Sequence, residues 1–396
     1  MTGMTSSARP LLNRSLAEFG TTIFAEMSAL ALRTGAINLG QGFPDTDGPE
    51  EIREAAVRAL RDGRGNQYPP GPGVPELRQA VAAHQLRHYG LTYDPDTEVL
   101  VTAGATEAIA ATLLALLEPG DEVVALEPYY DSYAACIAMA GARRVPVTLR
   151  PSQGRFTLDL DELRAAVTDR TRLLLINTPH NPTGTVLTRE ELTAVAELAV
   201  ERDLLVVTDE VYEHLVFDGV EHLPPATFPG MRERTVTIGS AGKTYSFTGW
   251  KVGWVTGTAE LVTAVRSAKQ YLTYVASGPF QYAVAEALAL PDAYFEGFRA
   301  DMQAKRDLLS AGLTDAGLTV FRPTGTYFVT TDIRPLGETD GFAFCRALPE
   351  RAGVVAIPNA VFYDHRDAGA PFVRFAFCKR TEVLQEAAQR LKRLAG

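Results

Sequence analysis

The sequence has little of what marks secreted or membrane proteins. It holds three cysteines in 396 residues, and no two of them form a CxxC pair. A sparse, odd count predicts reduced thiols rather than a disulfide framework. No apolar run approaches the length of a membrane span, and the first residues lack the apolar stretch of a signal peptide. We therefore expect a soluble cytoplasmic protein.

Positive charge is also in deficit, with 38 Lys and Arg against 48 Asp and Glu, which gives a formal net charge of -10. Nucleic acids and anionic membranes call for a basic face, so neither is an expected partner. Any phosphate must be bound locally, by backbone amides and a few cations. A hydrophobic content of 46% is typical of a globular protein, and the length suffices for about two or three domains.

Helical and strand patterns alternate from about residue 75. The buried strands predicted in this region are Val99–Thr102, Glu122–Leu126, Leu173–Asn177, Leu204–Thr208 and Thr235–Ile238. Such alternation predicts a mainly parallel sheet covered on both faces by helices. From Pro291 a long helix leads into short strands and helices, which predicts a smaller α+β domain. We place the boundaries at 1–48 (N-terminal arm and part of the small domain), 49–290 (large domain) and 291–396 (small domain).

Polar side chains follow several of these strands where each one ends. The strand ends carry Gly104-Ala105-Thr106, Asn181-Pro182-Thr183-Gly184, Asp209-Glu210-Val211-Tyr212 and Gly239-Ser240-Ala241-Gly242-Lys243. The carboxyl ends of parallel strands share one edge of the sheet, where α/β folds bind their ligands. The sequence therefore predicts that an Asn, an Asp, a Tyr, a Lys and a helix N-terminus converge there.

Lys243 has two other interpretations. Gly242-Lys243-Thr244 looks like the end of a P-loop, but that motif needs a glycine where this chain has Thr237, inside the predicted strand. The P-loop interpretation is therefore excluded. A solvated surface lysine fits the local sequence equally well, and only the motifs at the other strand ends favour a reactive lysine.

Taken together, Asn-Pro-Thr-Gly, Asp-Glu-Val-Tyr and Ser-Ala-Gly-Lys-Thr in this order resemble the fold-type I pyridoxal-phosphate (PLP) aminotransferases of class I/II. The resemblance runs from about Phe24 to the last helix. Within the class it is to the kynurenine/glutamine transaminases and the actinobacterial N-succinyldiaminopimelate aminotransferases. It implies a seven-stranded, mainly parallel sheet in a large α/β/α domain, a smaller α+β domain, and transfer of an amino group from an L-amino acid to a 2-oxo acid.

The resemblance assigns roles to the residues at the strand ends. Lys243 would form a Schiff base with pyridoxal 5'-phosphate and then move a proton as the freed amine. Asp209 would pair with the pyridine nitrogen, although an ordinary loop acid is the alternative. Tyr212 and Asn181 would donate to the phenolic oxygen. Tyr130 would stack on the ring; a core tyrosine is the alternative, and Tyr129 takes the role if the register is shifted by one.

Phosphate binding is expected at a helix N-terminus, where unpaired amides and the helix dipole favour an anion. The residues implied are Gly104, Ala105, Thr106, Ser240 and Lys251, with Tyr68 reaching in from a neighbouring subunit. A homodimer with shared sites follows by analogy. Thr106 departs from the kynurenine transaminases, which carry a tyrosine here, so their ring contacts do not transfer directly.

Arg374 is the residue expected to bind the substrate carboxylate in bidentate fashion, assisted by Asn181 and the Gly42 amide. A buried structural ion pair is the alternative. Phe24 and Tyr129 are expected to line an apolar side-chain pocket, and Ser277 stands where the kynurenine group has a histidine. The donor stays open between N-succinyl-LL-diaminopimelate, an aromatic or sulfur amino acid, glutamine and kynurenine, with 2-oxoglutarate the expected acceptor.

Other functions stay open beside transamination. The same chemistry can expel a β-substituent, as in cysteine-conjugate β-lyases, and a non-catalytic PLP-binding regulator is a remote alternative. His84 and His88 have an i, i+4 spacing that can bind zinc. Because no third ligand is evident, we expect two surface histidines and no metal. His180 is expected to be a packing residue rather than a base.

Overall fold

The computed structural model describes residues 11–20 and 22–395. Its helices are α1 (Ile23–Thr34), α2 (Glu50–Arg61), α3 (Pro75–Tyr89), α4 (Gly104–Leu116), α5 (Asp131–Met139), α6 (Leu160–Ala166), α7 (Arg189–Glu201), α8 (Ala241–Thr244), α9 (Ala259–Lys269), α10 (Gly278–Leu288), α11 (Asp292–Asp315), α12 (Gly341–Ala352), α13 (Arg366–Gly369) and α14 (Thr381–Leu391). Its strands are β1 (Ile37–Asn38), β2 (Val99–Thr102), β3 (Glu122–Glu127), β4 (Arg143–Thr148), β5 (Arg150–Ser152), β6 (Arg155–Thr157), β7 (Thr171–Asn177), β8 (Leu205–Asp209), β9 (Thr235–Ser240), β10 (Gly253–Thr256), β11 (Thr319–Phe321), β12 (Phe328–Asp332), β13 (Val354–Val355), β14 (Ile357–Pro358) and β15 (Phe372–Ala376).

A seven-stranded sheet forms the centre of the large unit, in the order β2-β10-β9-β8-β7-β3-β4. Strand β10 runs antiparallel to both of its neighbours, and β9, β8, β7, β3 and β4 pair in parallel. The predicted mainly parallel, seven-stranded sheet is therefore confirmed. Strand β10, which returns directly after the lysine-bearing turn, was not predicted.

Alternate residues of the central strands enter different hydrophobic clusters. Leu173 and Leu175 of β7 pack with residues of α4, α5 and α9, whereas Leu174 and Ile176 pack with residues of α6 and α7. Because successive side chains of a strand point to opposite faces, the sheet is covered on both sides. This is the predicted α/β/α layering.

The second unit is built on the antiparallel sheet β11-β12-β15-β14. One hydrophobic cluster joins this sheet to α11, α12 and α14, and it also includes Met27 and Ala31 of α1. The N-terminal helix thus packs with the C-terminal part of the chain in a smaller α+β unit. The boundaries at 48 and 290 stay a prediction.

Helix α1 shows how local sequence sets an element. Thr22 caps it by accepting a hydrogen bond from the Ala25 amide, and Gly35 ends it at a φ of 65°. The three cysteines are free and buried. Within the described ranges, no helix combines the length and the apolarity that a membrane crossing requires.

Candidate active site

The ends of β7, β8 and β9 lie in register, because Asn177 pairs with Asp209 and Asp209 with Ile238. A cavity of about 190 Å³ opens at this edge and is called the cofactor cavity below. The predicted residues that line it are Gly104, Ala105, Thr106, Tyr130, Asn181, Asp209, Tyr212, Ser240, Lys243 and Lys251. The structure thus brings together every predicted cofactor-binding residue except Tyr68.

Lys243 lies on the single helical turn α8, directly after β9. Its Nζ atom is 5.7 Å from the ring centroids of both Tyr212 and Tyr327. Burial lowers the pKa of Lys243, while Cys378 and Asp209 act to raise it. A lowered pKa increases the fraction of neutral amine, which is the nucleophilic and basic form. Lys243 is therefore a cavity residue, and the surface-lysine interpretation is wrong.

The small residues before Lys243 have a packing cause. A Cβ atom at Gly239 would overlap the indole of Trp254, which lies on the neighbouring strand β10. Trp254 is almost fully buried. Glycine at this position therefore leaves room for the indole directly beside the strand that leads to the lysine turn.

An anion pocket lies at the N-terminus of α4. Gly104 begins the helix with a φ of 76°, and a Cβ there would lie 3.1 Å from Lys251 Nζ. The Lys251 ammonium also donates to Thr106 Oγ1 at 3.4 Å. The helix amides, the Thr106 hydroxyl and the Lys251 ammonium thus lie around one space, which stays open because Gly104 has no side chain. The donor set fits a phosphate group.

Asp209 is held by a residue that the sequence analysis missed. Its buried carboxylate accepts a 2.5 Å hydrogen bond from Tyr133 Oη and a 3.3 Å bond from the Val211 amide. Burial raises the pKa of Asp209, and both hydrogen bonds act against that rise. Tyr133 lies three residues after Tyr130, at a spacing that places two side chains on one helix face, and this spacing could have revealed it.

Tyr130 lines the cofactor cavity and packs edge-to-face on Tyr133, with ring centroids 5.7 Å apart. Tyr129 is buried and lines a different cavity. Its amide donates to the Phe362 carbonyl at 2.9 Å. Of the two registers considered for the stacking aromatic, the geometry supports the one that uses Tyr130.

Arg374 lies on β15, and only 2% of its surface is exposed. Its guanidinium donates to Asn181 Oδ1 at 2.9 Å and to the Gly40 carbonyl at 3.0 Å, while its Nε has no partner. Within the residues that the structure describes, no carboxylate forms an ion pair with it. Burial lowers the pKa of Arg374 to about 10. The ion-pair alternative is therefore wrong, and the contact with Gly40 was not predicted.

Aromatic rings surround the same guanidinium. Its central carbon is 4.0 Å from the ring centroid of Phe328, 5.0 Å from that of Phe362 and 5.4 Å from that of Phe24. Phe24, Phe362 and Tyr129 line a cavity of about 480 Å³, called the outer cavity below. Arg374 thus stands between the two cavities, since its partner Asn181 lines the cofactor cavity.

The remaining predicted residues lie away from these contacts. The Gly42 carbonyl accepts from Tyr327 Oη at 2.5 Å, and the use of its amide stays a prediction. Tyr68 is 82% exposed, so its reach into a neighbouring subunit also stays a prediction. Ser277 is exposed. His180 is buried with its Nδ1 2.8 Å from Thr183 Oγ1, as a packing residue would be.

The expectation of two surface histidines on α3 is wrong. His84 is 2% exposed, and its Nε2 lies 2.7 Å from Nε2 of His214. The turns that follow β8 cover this face of the helix. The third histidine was missed because 130 residues separate it from His84 in the sequence.

Comparison with known proteins gives the family. The model for "Aminotransferase class I and II" matches residues 34–391. The chain is 57% identical over 388 residues to the "Probable N-succinyldiaminopimelate aminotransferase DapC" of Mycobacterium tuberculosis, covering 96% of this chain and 98% of that one. It is 40% identical to the methionine aminotransferase of Escherichia coli (97% and 99% covered) and 37% identical to the kynurenine–oxoglutarate transaminase of Dictyostelium discoideum (99% and 98%).

A solved structure agrees with these relatives. The N-succinyldiaminopimelate aminotransferase from Mycobacterium tuberculosis superposes with a TM-score of 0.95 at 57% identity, covering 97% of this chain and all of that one. The structural neighbours share the fold-type I architecture. The chain therefore belongs to the class I and II aminotransferases and is an enzyme that transfers amino groups.

Proposed function

We propose that this aminotransferase works with pyridoxal 5'-phosphate held by Lys243 as a Schiff base in the cofactor cavity. The residues present fit the group. Lys243 offers an amine to its aldehyde, the α4 N-terminus with Lys251 offers an anion pocket to its phosphate, and Asp209 offers a buried carboxylate to its ring nitrogen. When bound, PLP supplies an electron sink that stabilises negative charge at the substrate Cα.

The side chains around the cavity divide the work. The Lys243 amine, with its lowered pKa, would take the proton from the substrate Cα and deliver it to the cofactor side of the C–N linkage. Tyr133 fixes the Asp209 carboxylate in one orientation through its hydrogen bond, and Asp209 would in this way be held ready for the ring nitrogen. Tyr212 and Asn181 offer polar groups on the same wall. Tyr130 offers its ring for stacking.

The observation that carries the proposal is the buried guanidinium of Arg374 with no ion-pair partner among the described residues. Burying an unpaired charge costs free energy, and a substrate carboxylate that pairs with the Arg374 guanidinium would offset that cost. Arg374 stands between the two cavities. When it binds the α-carboxylate, the substrate Cα would therefore lie on the side of Lys243, and the substrate side chain would extend into the outer cavity. Every amino or 2-oxo acid substrate carries that carboxylate.

We further propose N-succinyl-LL-diaminopimelate as the amino donor and 2-oxoglutarate as the acceptor. The outer cavity, at about 480 Å³, has room for a long side chain. It is lined by Arg144, which pairs with Asp364 and Glu18, and by Arg366, which pairs with no carboxylate of the described residues. Arg366 is thus available for a distal carboxylate. The relative that is 57% identical is named as a probable N-succinyldiaminopimelate aminotransferase, which supports the same donor.

Single-turnover spectroscopy with a panel of donors tests this proposal. Conversion of the PLP form to the pyridoxamine form should be fastest with N-succinyl-LL-diaminopimelate, and slower with methionine, glutamine, glutamate, kynurenine and phenylalanine. Arg366→Ala should lower kcat/KM for the succinylated donor about tenfold or more, as expected for a lost charge-assisted contact, and leave methionine unchanged. Equal losses for both donors would contradict the assignment of Arg366. The relatives named above are aminotransferases, which favours transamination over β-elimination for this enzyme.

We also propose a cytoplasmic homodimer with shared active sites. An exposed apolar patch supports the dimer: Tyr68, Tyr271, Leu272 and Tyr274 are 82%, 85%, 47% and 53% exposed. Thr273, inside this patch, donates to Glu107, and Glu107 also accepts from the Ala103 amide beside the anion pocket. The patch is therefore next to the cofactor cavity.

Hybrid dimers test whether Tyr68 acts across the interface. Lys243→Ala and Tyr68→Ala are each expected to be weak or inactive alone. A mixed dimer has one site with an intact Lys243 and with Tyr68 supplied by the other chain, so co-refolded or co-expressed chains should regain activity. If mixing restores nothing while light scattering shows a dimer, Tyr68 does not act in trans.

A further inference from the structure

Three histidine side chains meet outside the cofactor cavity. His84 and His88 lie one turn apart on α3, and His214 lies in the turns after β8. One ligand nitrogen from each lies within 4.8 Å of the other two. The ring centroids are 4.5 Å (His84–His88), 5.0 Å (His84–His214) and 4.8 Å (His88–His214) apart. Elements distant in sequence thus place three imidazoles together.

The protein leaves nitrogens of this cluster without partners. Nε2 of His84 and Nε2 of His214 are 2.7 Å apart, so one shared proton accounts for both. Nδ1 of His84 and Nε2 of His88 are buried and have no partner within the described ranges. Buried polar atoms are nearly always hydrogen-bonded. Two unpartnered nitrogens within one group of three imidazoles therefore point to a missing ligand.

The cluster faces a cavity of about 440 Å³ whose charge suits a cation. Burial raises the pKa of Glu213 to about 8, so the carboxylates that line this cavity as charged groups at neutral pH are Glu221, Asp292 and Glu296, against the lining arginine Arg299. Arg87, also nearby, forms an ion pair with Asp292. The excess of carboxylates gives the cavity a negative potential, and its opening gives an ion a route to the imidazoles.

We propose that His84, His88 and His214 bind one divalent transition-metal ion, with Zn²⁺ the best chemical match and a fourth position open to the cavity. Imidazole nitrogens suit Zn²⁺, Ni²⁺ and Cu²⁺, and three protein ligands plus one open position is a common zinc arrangement. Zn–N bonds of about 2.0–2.1 Å in a tetrahedron set the nitrogens about 3.4 Å apart. Nε2 of His84 and Nε2 of His214, now 2.7 Å apart, therefore need to separate by about 0.7 Å, and the ligand nitrogens that now lie up to 4.8 Å apart need to approach by up to about 1.4 Å.

Metal ions bind the imidazole nitrogen that carries no proton. The proton shared by Nε2 of His84 and Nε2 of His214 would therefore move to an Nδ1 atom, and Nδ1 of His84 has no partner within the described ranges. His222 is not part of the cluster, because its Nε2 is bonded to Glu210 at 2.7 Å.

A bound ion would join two parts of the fold. It would tie α3 to the segment Asp209–His214, whose other side chains Asp209 and Tyr212 line the cofactor cavity. The site does not depend on the proposed donor or on the cofactor contacts. It would therefore act as a crosslink that stiffens the wall behind the active site.

Metal analysis of tag-free, PLP-loaded enzyme tests the site. After loading with ZnCl₂ and dialysis against metal-free buffer, the protein should keep about one zinc ion per chain. His88→Ala and His214→Asn should each reduce retained zinc at least about tenfold, since each removes a ligand. His365→Ala is the matched control, because that side chain is 64% exposed and outside the cluster, and it should retain zinc as the parent does.

Locating the bound zinc in the parent enzyme does not depend on whether a variant folds. Anomalous diffraction at the zinc edge should give a peak among the three imidazoles. A peak elsewhere, no retained zinc in the parent, or full retention in His88→Ala would overturn the proposal. Circular dichroism of each variant confirms that lost zinc is not lost fold.

Discussion

The segment Asp209–His214 separates two cavities that carry opposite charge. On one side, Asp209 and Tyr212 line the cofactor cavity together with Lys243 and Lys251. On the other side, Glu213 and His214 line a cavity whose polar lining is mainly carboxyl and imidazole groups, called the histidine cavity below. A cation-lined pocket selects phosphate and carboxylate ligands, whereas a carboxylate- and imidazole-lined one selects cations. Six consecutive residues therefore contribute to two sites of opposite preference.

The two cavities differ in which polar groups have hydrogen-bond or ion-pair partners. In the cofactor cavity Asp209 has a defined partner, Tyr133, and beside this cavity the Arg374 guanidinium has no carboxylate partner among the described residues. Beside the histidine cavity, Nδ1 of His84 and Nε2 of His88 have no partner within the same residues. Both cavities thus hold unsatisfied groups, but of opposite electrostatic character. The following predictions test this contrast.

The largest effect is expected at Lys243. Lys243→Ala removes both the nucleophile and the base, so kcat/KM should fall at least about 10⁴-fold in transamination assays. Lys251→Ala, which removes the other cavity cation, should retain turnover at saturating PLP and hold the cofactor less tightly. Activity of Lys243→Ala within tenfold of the parent would show that the cavity is not the reaction site.

A smaller loss of kcat/KM is expected for Arg374→Lys, which keeps the positive charge and removes the bidentate hydrogen bonding of the guanidinium. Truncating one partner of a buried, hydrogen-bonded charge pair costs about 2–5 kcal/mol, so kcat/KM should fall about 10²–10³-fold. The loss should be similar for all donors, because all of them carry the α-carboxylate. Arg366→Lys is the matched control and should change only the succinylated donor. A donor-dependent loss in Arg374→Lys would assign Arg374 to side-chain recognition instead.

A loss of about tenfold is expected for Tyr133→Phe, since hydrogen bonds to charged groups are worth about 1.5–3 kcal/mol and part is recovered by water. The variant frees Asp209 Oδ2 from its partner. Steady-state kinetics should show the fall mainly in kcat, and Tyr93→Phe, a buried tyrosine that lines neither the cofactor cavity nor the outer cavity, should not. Equal behaviour of the two variants would remove Tyr133 from the active site.

The smallest effect is a pair of thermal shifts of a few degrees. Inorganic phosphate should raise the Tm of cofactor-free enzyme through the anion pocket, and Zn²⁺ should raise it through the histidines. Lys251→Ala should abolish the phosphate shift and keep the zinc shift, and His88→Ala should do the reverse. Differential scanning fluorimetry measures both. Loss of both shifts in either variant would mean that the two cavities are not separate sites.

Much of the cofactor cavity could be predicted because its residues follow strand ends. Each of Asn181, Asp209 and Lys243 lies within a few residues of a strand with an unambiguous apolar pattern. The carboxyl ends of such strands must meet, whatever the details of packing. The ends of helix α1 depend on equally local features, since Thr22 caps its start and Gly35 ends it.

The rest depended on contacts that no local pattern encodes. Gly40 reaches Arg374 across 334 residues, and His214 reaches His84 across 130. Burial of His84 results from the turns after β8 rather than from its own helix, so an i, i+4 pair was taken for a surface feature. Strand β10 was missed because its four residues directly follow a turn rich in aromatics and glycine.

The wall formed by Asp209–His214 also has a thermodynamic consequence. An ion held by His214 and a cofactor held beside Tyr212 share one short piece of backbone, so each ligand acts on the conformation that the other selects. Linkage requires the effect to be reciprocal: whatever factor zinc applies to PLP affinity, PLP applies to zinc affinity. The PLP affinity of a preparation would then depend on how much zinc it contains, and its zinc affinity on how much PLP is bound.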